Sequence, residues 1–256
     1  MESTQALYTK MNAEIAQNPS LVFWPLQMML KEIGYNWQER QLHSGLVLEL
    51  MQDEPIEAKA AKEMNDLLGF KASWIGDKLN GRAQQVWDQV NGFVAGQSLL
   101  DFGCGDGRIA EMADRGRREV RLYDVADYRK SGLSLPFTAN WQEVEGGFDT
   151  TLAIAVFHHC ENPEKEIARL RQVTKRLIVI ESVIDEAMPW ATQAFVDWMY
   201  NRGLHPKAEI PVPGQFKKVQ EWREVFAQNG FRVIHEQDLG IDLPVVPEHH
   251  HLFVLQ

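Results

Sequence analysis

One run constrains the fold more than any other: Leu99-Leu100-Asp101-Phe102-Gly103-Cys104-Gly105-Asp106-Gly107-Arg108-Ile109-Ala110. An apolar stretch ends in an acid, three glycines follow at alternate positions, and a helix-like continuation comes after. A strand finishing at Phe102 turns sharply through Gly103 and Gly105, and Gly107 lets the next helix pack close to the sheet. Glycine suits these positions because a side chain would block the turn or a ligand's approach to the backbone. Taken alone, the triplet also reads as a plain tight turn.

Arg121-Leu122-Tyr123-Asp124 reads as a second strand ending in a carboxylate. Its distance from the glycines suits a ribose whose adenosine lies over the turn, and a carboxylate accepts from paired hydroxyls rather than from a ribose phosphate. With these residues in place the chain resembles the class I S-adenosylmethionine-dependent methyltransferases of the small-molecule type. Asp101, Gly103, Gly105 and Gly107 match that family's first motif, and Asp124 matches the ribose acid at the end of its second strand. The run Phe148 to Pro163, with Phe157-His158-His159 at its centre, is similar to the family's fourth strand and the loop after it. The resemblance covers residues 94–182 well and the tail 217–256 more loosely.

The resemblance implies S-adenosylmethionine as cofactor, admitted by Gly103, Cys104, Gly105 and Gly107. Asp101 then organises the methionine end or the glycine loop, Asp124 binds the ribose hydroxyls, and Val125 and Phe157 flank the cofactor. The family often places an aspartate after its third strand to meet the adenine amino group. Here Asn140-Trp141-Gln142 occupies that region, so Trp141 is expected to stack on adenine and Gln142 to supply the hydrogen bond. By family analogy, Tyr8 covers the cofactor from a mobile N-terminal segment. A dinucleotide enzyme shares the glycine turn and the second acid, but its pyrophosphate needs a helix terminus free of negative charge. Asp101 and Asp106 oppose a phosphate there and suit a sulfonium.

A length of 256 residues allows one large domain or a core with a smaller unit. The net charge of -10, with no lysine or arginine tract to offset it, argues against a nucleic-acid backbone as partner. A small-molecule substrate is expected instead, and association into a homodimer is left open. No basic-then-apolar leader and no membrane-length run is apparent, so no membrane partner is expected. Cys104 and Cys160 follow different strands and suggest no disulfide framework, which points to a reducing cytoplasm.

Residues 1–96 read as a helical N-terminal cap with breaks near Asn18-Pro19-Ser20, Gly34-Tyr35-Asn36, Asp53-Glu54-Pro55 and Gly69-Phe70-Lys71. Phe23, Trp24, Pro25, Met28 and Met29 form its most apolar group and read as core or as pocket lining. Residues 97–256 read as a Rossmann-like α/β core of alternating strands and helices, the pattern of a doubly wound, mostly parallel sheet. The resemblance implies seven strands, with a hairpin of strands six and seven that inserts seven beside five. Residues 183–216 interrupt the rhythm after the fifth strand as an aromatic insertion. Its Trp190, Phe195, Trp198 and Tyr200 read equally as a lid over a pocket or as plain packing.

Methyl transfer needs an acceptor aligned behind the activated methyl group, a dry pocket and sometimes a base. His159 is the first candidate for base or substrate-orienting residue, because it follows the strand that faces the cofactor. Glu181, at the end of the fifth strand, is placed to grip an amine or accept a proton, and His205 is a third candidate. Adjacent His158, His159 and Cys160 do not readily converge on one ion, so no metal is assigned. The expected activity is S-adenosylmethionine-dependent O- or N-methyl transfer to a small, partly apolar metabolite. C-methylation, another reaction of the same cofactor, and a non-catalytic cofactor-stabilised binding subunit are the alternatives.

Overall fold

The computed structural model describes residues 2–72, 75–116, 118–204, 210–242 and 247–256. The elements run α1 (Glu2–Gln17), α2 (Ser20–Glu32), α3 (Trp37–Asp53), α4 (Glu57–Ala72), α5 (Ile75–Val90), β1 (Ser98–Phe102), α6 (Arg108–Arg115), β2 (Glu119–Tyr123) and β3 (Phe137–Thr138). They continue through β4 (Thr150–Ile154), α7 (Pro163–Val173), β5 (Leu177–Ser182), α8 (Trp190–Trp198), α9 (Val219–Gln228), β6 (Val233–Asp242) and β7 (Glu248–Leu255). The strands form a seven-stranded sheet in the order β3-β2-β1-β4-β5-β7-β6. It is mostly parallel with one antiparallel hairpin, and β7 lies beside β5 as the resemblance implied.

The chain divides into two compact units: 1–79 with 182–218 and 240–249, and 80–181 with 219–239 and 250–256. The division falls within α5, whereas the sequence places the end of the helical segment at 96.

In the first unit, α1 to α4 pack with α8 around Leu7, Met11, Leu26, Met29, Val47 and Met64. Helix α3 starts on a reciprocal cap, with the Asn36 side chain accepting from the Glu39 amide and the Glu39 carboxylate accepting from the Asn36 amide. Proline 25 sits inside α2, where it lacks the N–H that Leu21's carbonyl would ordinarily receive. The Thr192 hydroxyl donates to that carbonyl at 2.8 Å. Of the apolar group expected on this helix, Pro25 and Met29 are buried while Phe23 and Trp24 stand outside. Helix α4 runs through Gly69, Phe70 and Lys71 to Ala72, and α5 begins at Ile75, so the change of helix falls just beyond the break expected at 69–71. A single glycine costs a helix only about 1 kcal/mol, which its neighbours offset.

The insertion's aromatics serve packing. Phe195 and Trp198 are fully buried in the first unit's core, and Trp190 and Tyr200 pack against that core. A buried polar knot ties the insertion to α4: Glu57 accepts from Trp198 Nε1 at 2.9 Å and from Arg202 Nε at 2.9 Å. Arg202 belongs to a π-helical turn, Met199–Leu204, that continues α8.

In the second unit, β1 pairs in parallel with β2 on one side and β4 on the other. Its core gathers Leu99, Leu122, Leu152, Ile178 and Leu252 from five strands. Both sheet faces are covered, which explains the nearly unbroken apolar run of β5. The registers Phe102↔Tyr123 and Tyr123↔Thr138 bring the ends of β1, β2 and β3 level, and Phe102↔Ala153 and Ile154↔Ile180 carry β4 and β5 slightly beyond them in the same direction. The segments after β1, β2, β4 and β5 therefore leave the sheet at one edge, where ligands of such sheets bind.

Candidate functional site

The glycine turn is built as its sequence demands. Gly103, Gly105 and Gly107 all adopt positive φ, at 71°, 51° and 78°. The amides of Gly103 and Cys104 both donate to the Tyr123 carbonyl, at 2.8 and 3.1 Å, which fastens the turn to the end of β2. A methyl group on Gly103 would lie 2.1 Å from Val156 Cγ2, and one on Gly107 would lie 2.3 Å from Leu133 Cδ2. One on Gly105 would meet nothing within 4 Å. Gly103 and Gly107 are thus glycine for close packing. Gly105 leaves its backbone open, a cradle that a side chain would fill.

Asp101 and Asp124 flank this turn. Gly107 has no side chain to cap α6, and Asp101, on β1, accepts instead from the Ala110 amide of that helix. Asp101 is buried, and burial together with the charge of Asp124 pushes its carboxyl up to about 7. Asp124 Oδ2 accepts from the Gly105 amide at 2.9 Å, and its Oδ1 accepts from the Val125 amide at 2.7 Å. Burial raises its carboxyl too, against these two amides. Asp106, by contrast, is ion-paired with Arg108, so the negative character of the turn rests on Asp101 and Asp124. Val125 beside the acid is 68% exposed, an apolar side chain held outside the core.

Beyond β3, the Asn140 side chain accepts from the Gln142 amide and starts a short 3-10 turn. Trp141 stands edge-on to Tyr123 and Phe102, at centroid distances of 5.2 and 5.9 Å, and is half-buried. The side chain of Gln142 is exposed.

The loop after β4 turns on Ala155, whose φ of 53° is the only positive value at a non-glycine among the described residues. Its next two amides, Val156 and Phe157, donate to Glu181 Oε1 at 2.9 and 2.6 Å. Glu181 Oε2 lies 2.7 Å from His158 Nδ1. The His159 ring rests against that of His158, at 4.1 Å and a 44° tilt, and is half-buried where His158 is buried. The sequence offers Glu181 and His159 as separate base candidates and His158 only as one of three adjacent donor residues. The carboxylate instead binds His158, a pairing that no local sequence signal announces because 23 residues separate them.

Three expectations need correction. Tyr8 lies within α1 rather than on a mobile segment; its ring is fully buried, its hydroxyl donates to the Glu54 carbonyl at 2.9 Å, and burial pushes that hydroxyl up to about 12. Phe157 is fully buried between Phe102 and Trp222, its amide is given to Glu181 and its carbonyl accepts from Cys160. Packed in this way, it offers a ligand no exposed surface. Glu181 is wholly buried with both oxygens occupied, so it is not poised to take a substrate proton. Cys104 is buried, and burial with the two nearby aspartates raises its thiol; Cys160 is pushed up to about 12 by burial. Neither is a ready nucleophile. His205 lies outside the described residues.

A family model described as a methyltransferase domain matches residues 71–236. The chain is 28% identical over 106 residues to the tRNA (carboxymethyluridine(34)-5-O)-methyltransferase alkbh8 of Xenopus tropicalis. That match covers 36% of this chain and 16% of the relative, so this chain spans only a small part of the relative's length. Among solved structures, it is similar to the 1,6-didemethyltoxoflavin-N1-methyltransferase of Burkholderia thailandensis, with a TM-score of 0.51 and 14% identity over 77% of this chain and 88% of that one. It is also similar to the [4+2]-cyclase SpnF, with a TM-score of 0.50 and 16% identity over 67% and 79% of the two chains. At these identities the structural likeness is one of fold. No helix among the described residues is long and apolar enough to cross a membrane.

Proposed function

The chain belongs to the methyltransferase-domain family, and from that premise we propose that it transfers the methyl group of S-adenosylmethionine, the family's donor, to oxygen or nitrogen of a small, partly apolar metabolite. The observation that carries this reading is the pair Asp101 and Asp124 beside a glycine turn whose backbone lies open at Gly105. When bound, S-adenosylmethionine supplies a methyl group activated by a positively charged sulfur. Two neighbouring buried carboxylates favour such a cation and repel the pyrophosphate of a dinucleotide. Asp124 keeps lone pairs beyond those its two amide partners use, and these suit the ribose hydroxyls. Val125 and Trp141 offer apolar surface for the adenine, and exposed Gln142 a polar contact at its edge.

His159 is the residue we assign to orient the acceptor or take its proton. The net charge of -10 supports a metabolite over a nucleic-acid backbone as partner, although the partial relative from Xenopus tropicalis is named for a tRNA nucleoside. The test is incubation with methyl-labelled S-adenosylmethionine and a protein-free metabolite extract. Label in a small organic product supports the reading. Label confined to added tRNA, or to no product, contradicts it.

A further inference from the structure

Glu181 stands at the end of β5 with its side chain wholly buried, yet its two oxygens answer donors from three consecutive residues of a different segment. Oε1 takes the amides of Val156 and Phe157, and Oε2 takes His158 Nδ1. Those two amides begin the short 3-10 turn Phe157–His159, so the carboxylate caps it from the neighbouring strand. Val156 in turn packs on the bare α-carbon of Gly103, where a methyl group would come within 2.1 Å of Val156 Cγ2. The same side chain therefore fixes the loop after β4 against the glycine turn. Because a carboxylate accepts, a neutral His158 must carry its proton on Nδ1 and its lone pair on Nε2. The His159 ring lies against a histidine held in that state.

We propose that Glu181 is a positioning residue for methyl transfer, setting the loop after β4 on the glycine turn and holding His158 as the Nδ1–H tautomer so that His159 meets the acceptor in one orientation. This rests on the methyltransferase reading above. A purely structural cap is the competing account, and Glu181→Gln separates the two. The amide oxygen of glutamine still accepts from Val156 and Phe157, so the turn stays capped. Its amide donor faces His158 Nδ1 and moves the imidazole proton to Nε2. A structural role survives this change; a positioning role does not.

The experiment uses the whole chain with nitrogen-15-labelled histidine. Ring-nitrogen spectra of the wild type place the His158 proton on Nδ1, and those of Glu181→Gln place it on Nε2. Calorimetry gives the two proteins S-adenosylmethionine affinities within about threefold of each other, while label transfer to the metabolite extract falls at least about 100-fold in the variant. A wild-type His158 with its proton on Nε2, or a folded Glu181→Gln transferring label at the wild-type rate, overturns the proposal. If Glu181→Gln does not fold, His158→Asn retains a donor toward Glu181 without the imidazole. That variant binds S-adenosylmethionine and loses transfer to a similar degree, and wild-type transfer by it overturns the proposal equally. Failure of the methyltransferase reading itself registers separately, as wild-type protein that gives no binding heat with S-adenosylmethionine, and the tautomer measurement still decides the placement of His158.

Discussion

The Thr192 hydroxyl donates to the Leu21 carbonyl at 2.8 Å, and the two residues are 171 positions apart. The bond supplies the donor that Pro25 denies to α2, so a residue of the insertion repairs a helix near the N-terminus. Thr192→Val leaves the carbonyl without that donor and is expected to cost about 1–3 kcal/mol of stability. Pro25→Ala restores a backbone N–H, so the double variant Thr192→Val with Pro25→Ala recovers most of the loss. Denaturant midpoints of the four proteins measure this, and strict additivity of the two changes would refute the repair.

The glycine turn separates packing from ligand access. Gly103→Ala drives a methyl group into Val156 at a φ of 71° and is expected to destabilise by about 2–5 kcal/mol. Gly105→Ala meets no atom and pays only for its φ of 51°, about 1–2 kcal/mol. The second variant stays folded in a thermal melt yet binds S-adenosylmethionine at least about tenfold more weakly, because its methyl group occupies the open backbone. Unimpaired binding by Gly105→Ala contradicts that assignment.

Ala155 holds a left-handed conformation that costs a non-glycine residue about 1–2 kcal/mol. Ala155→Gly removes that strain and adds backbone freedom to the unfolded chain, so a net gain of about 0.5–1 kcal/mol is expected. A lower denaturation midpoint for the variant would show that the methyl group contributes more than the strain.

Asp101 sets a pH dependence with a definite sign. Its carboxyl is raised from 3.8 to about 7 in the folded protein, first by burial and then by Asp124. The folded state thus holds a proton that the unfolded state releases, and this contribution, present in acid, is lost as pH rises through about 7. Asp101→Asn keeps an acceptor for Ala110 and removes the penalty, so it stabilises the ligand-free protein above neutrality by as much as about 4 kcal/mol. In the wild type, S-adenosylmethionine binding tightens between about pH 6 and about pH 8 as the carboxylate forms, and in Asp101→Asn that dependence flattens. An unchanged pH slope in the variant excludes Asp101 as its source.

Local signals in the sequence carried much of this architecture. Glycines at alternate positions and acids at two strand ends describe a turn whose constraints act within a few residues, and Gly103, Gly107 and Asp124 stand where such a turn needs them. Strand five was legible because a doubly covered strand is apolar throughout. Long-range partnerships were not legible. Nothing adjacent to Glu181 marks its bonds to Val156, Phe157 and His158, so an acid at a strand end reads as a base. Asp106 resembles its neighbouring acids until Arg108 is seen to neutralise it. The aromatics of α8 have one helical spacing for lid or core, and only the packing of Phe195 and Trp198 decides for core.

Calorimetric titration of cofactor-depleted protein with S-adenosylmethionine, and separately with NAD, tests the central claim most directly. The account predicts saturable binding of S-adenosylmethionine, no heat from NAD, and at least about tenfold weaker binding by a folded Asp124→Ala, which loses the acceptors for the ribose hydroxyls. Binding of NAD with no response to S-adenosylmethionine would contradict it and assign the glycine turn to a dinucleotide.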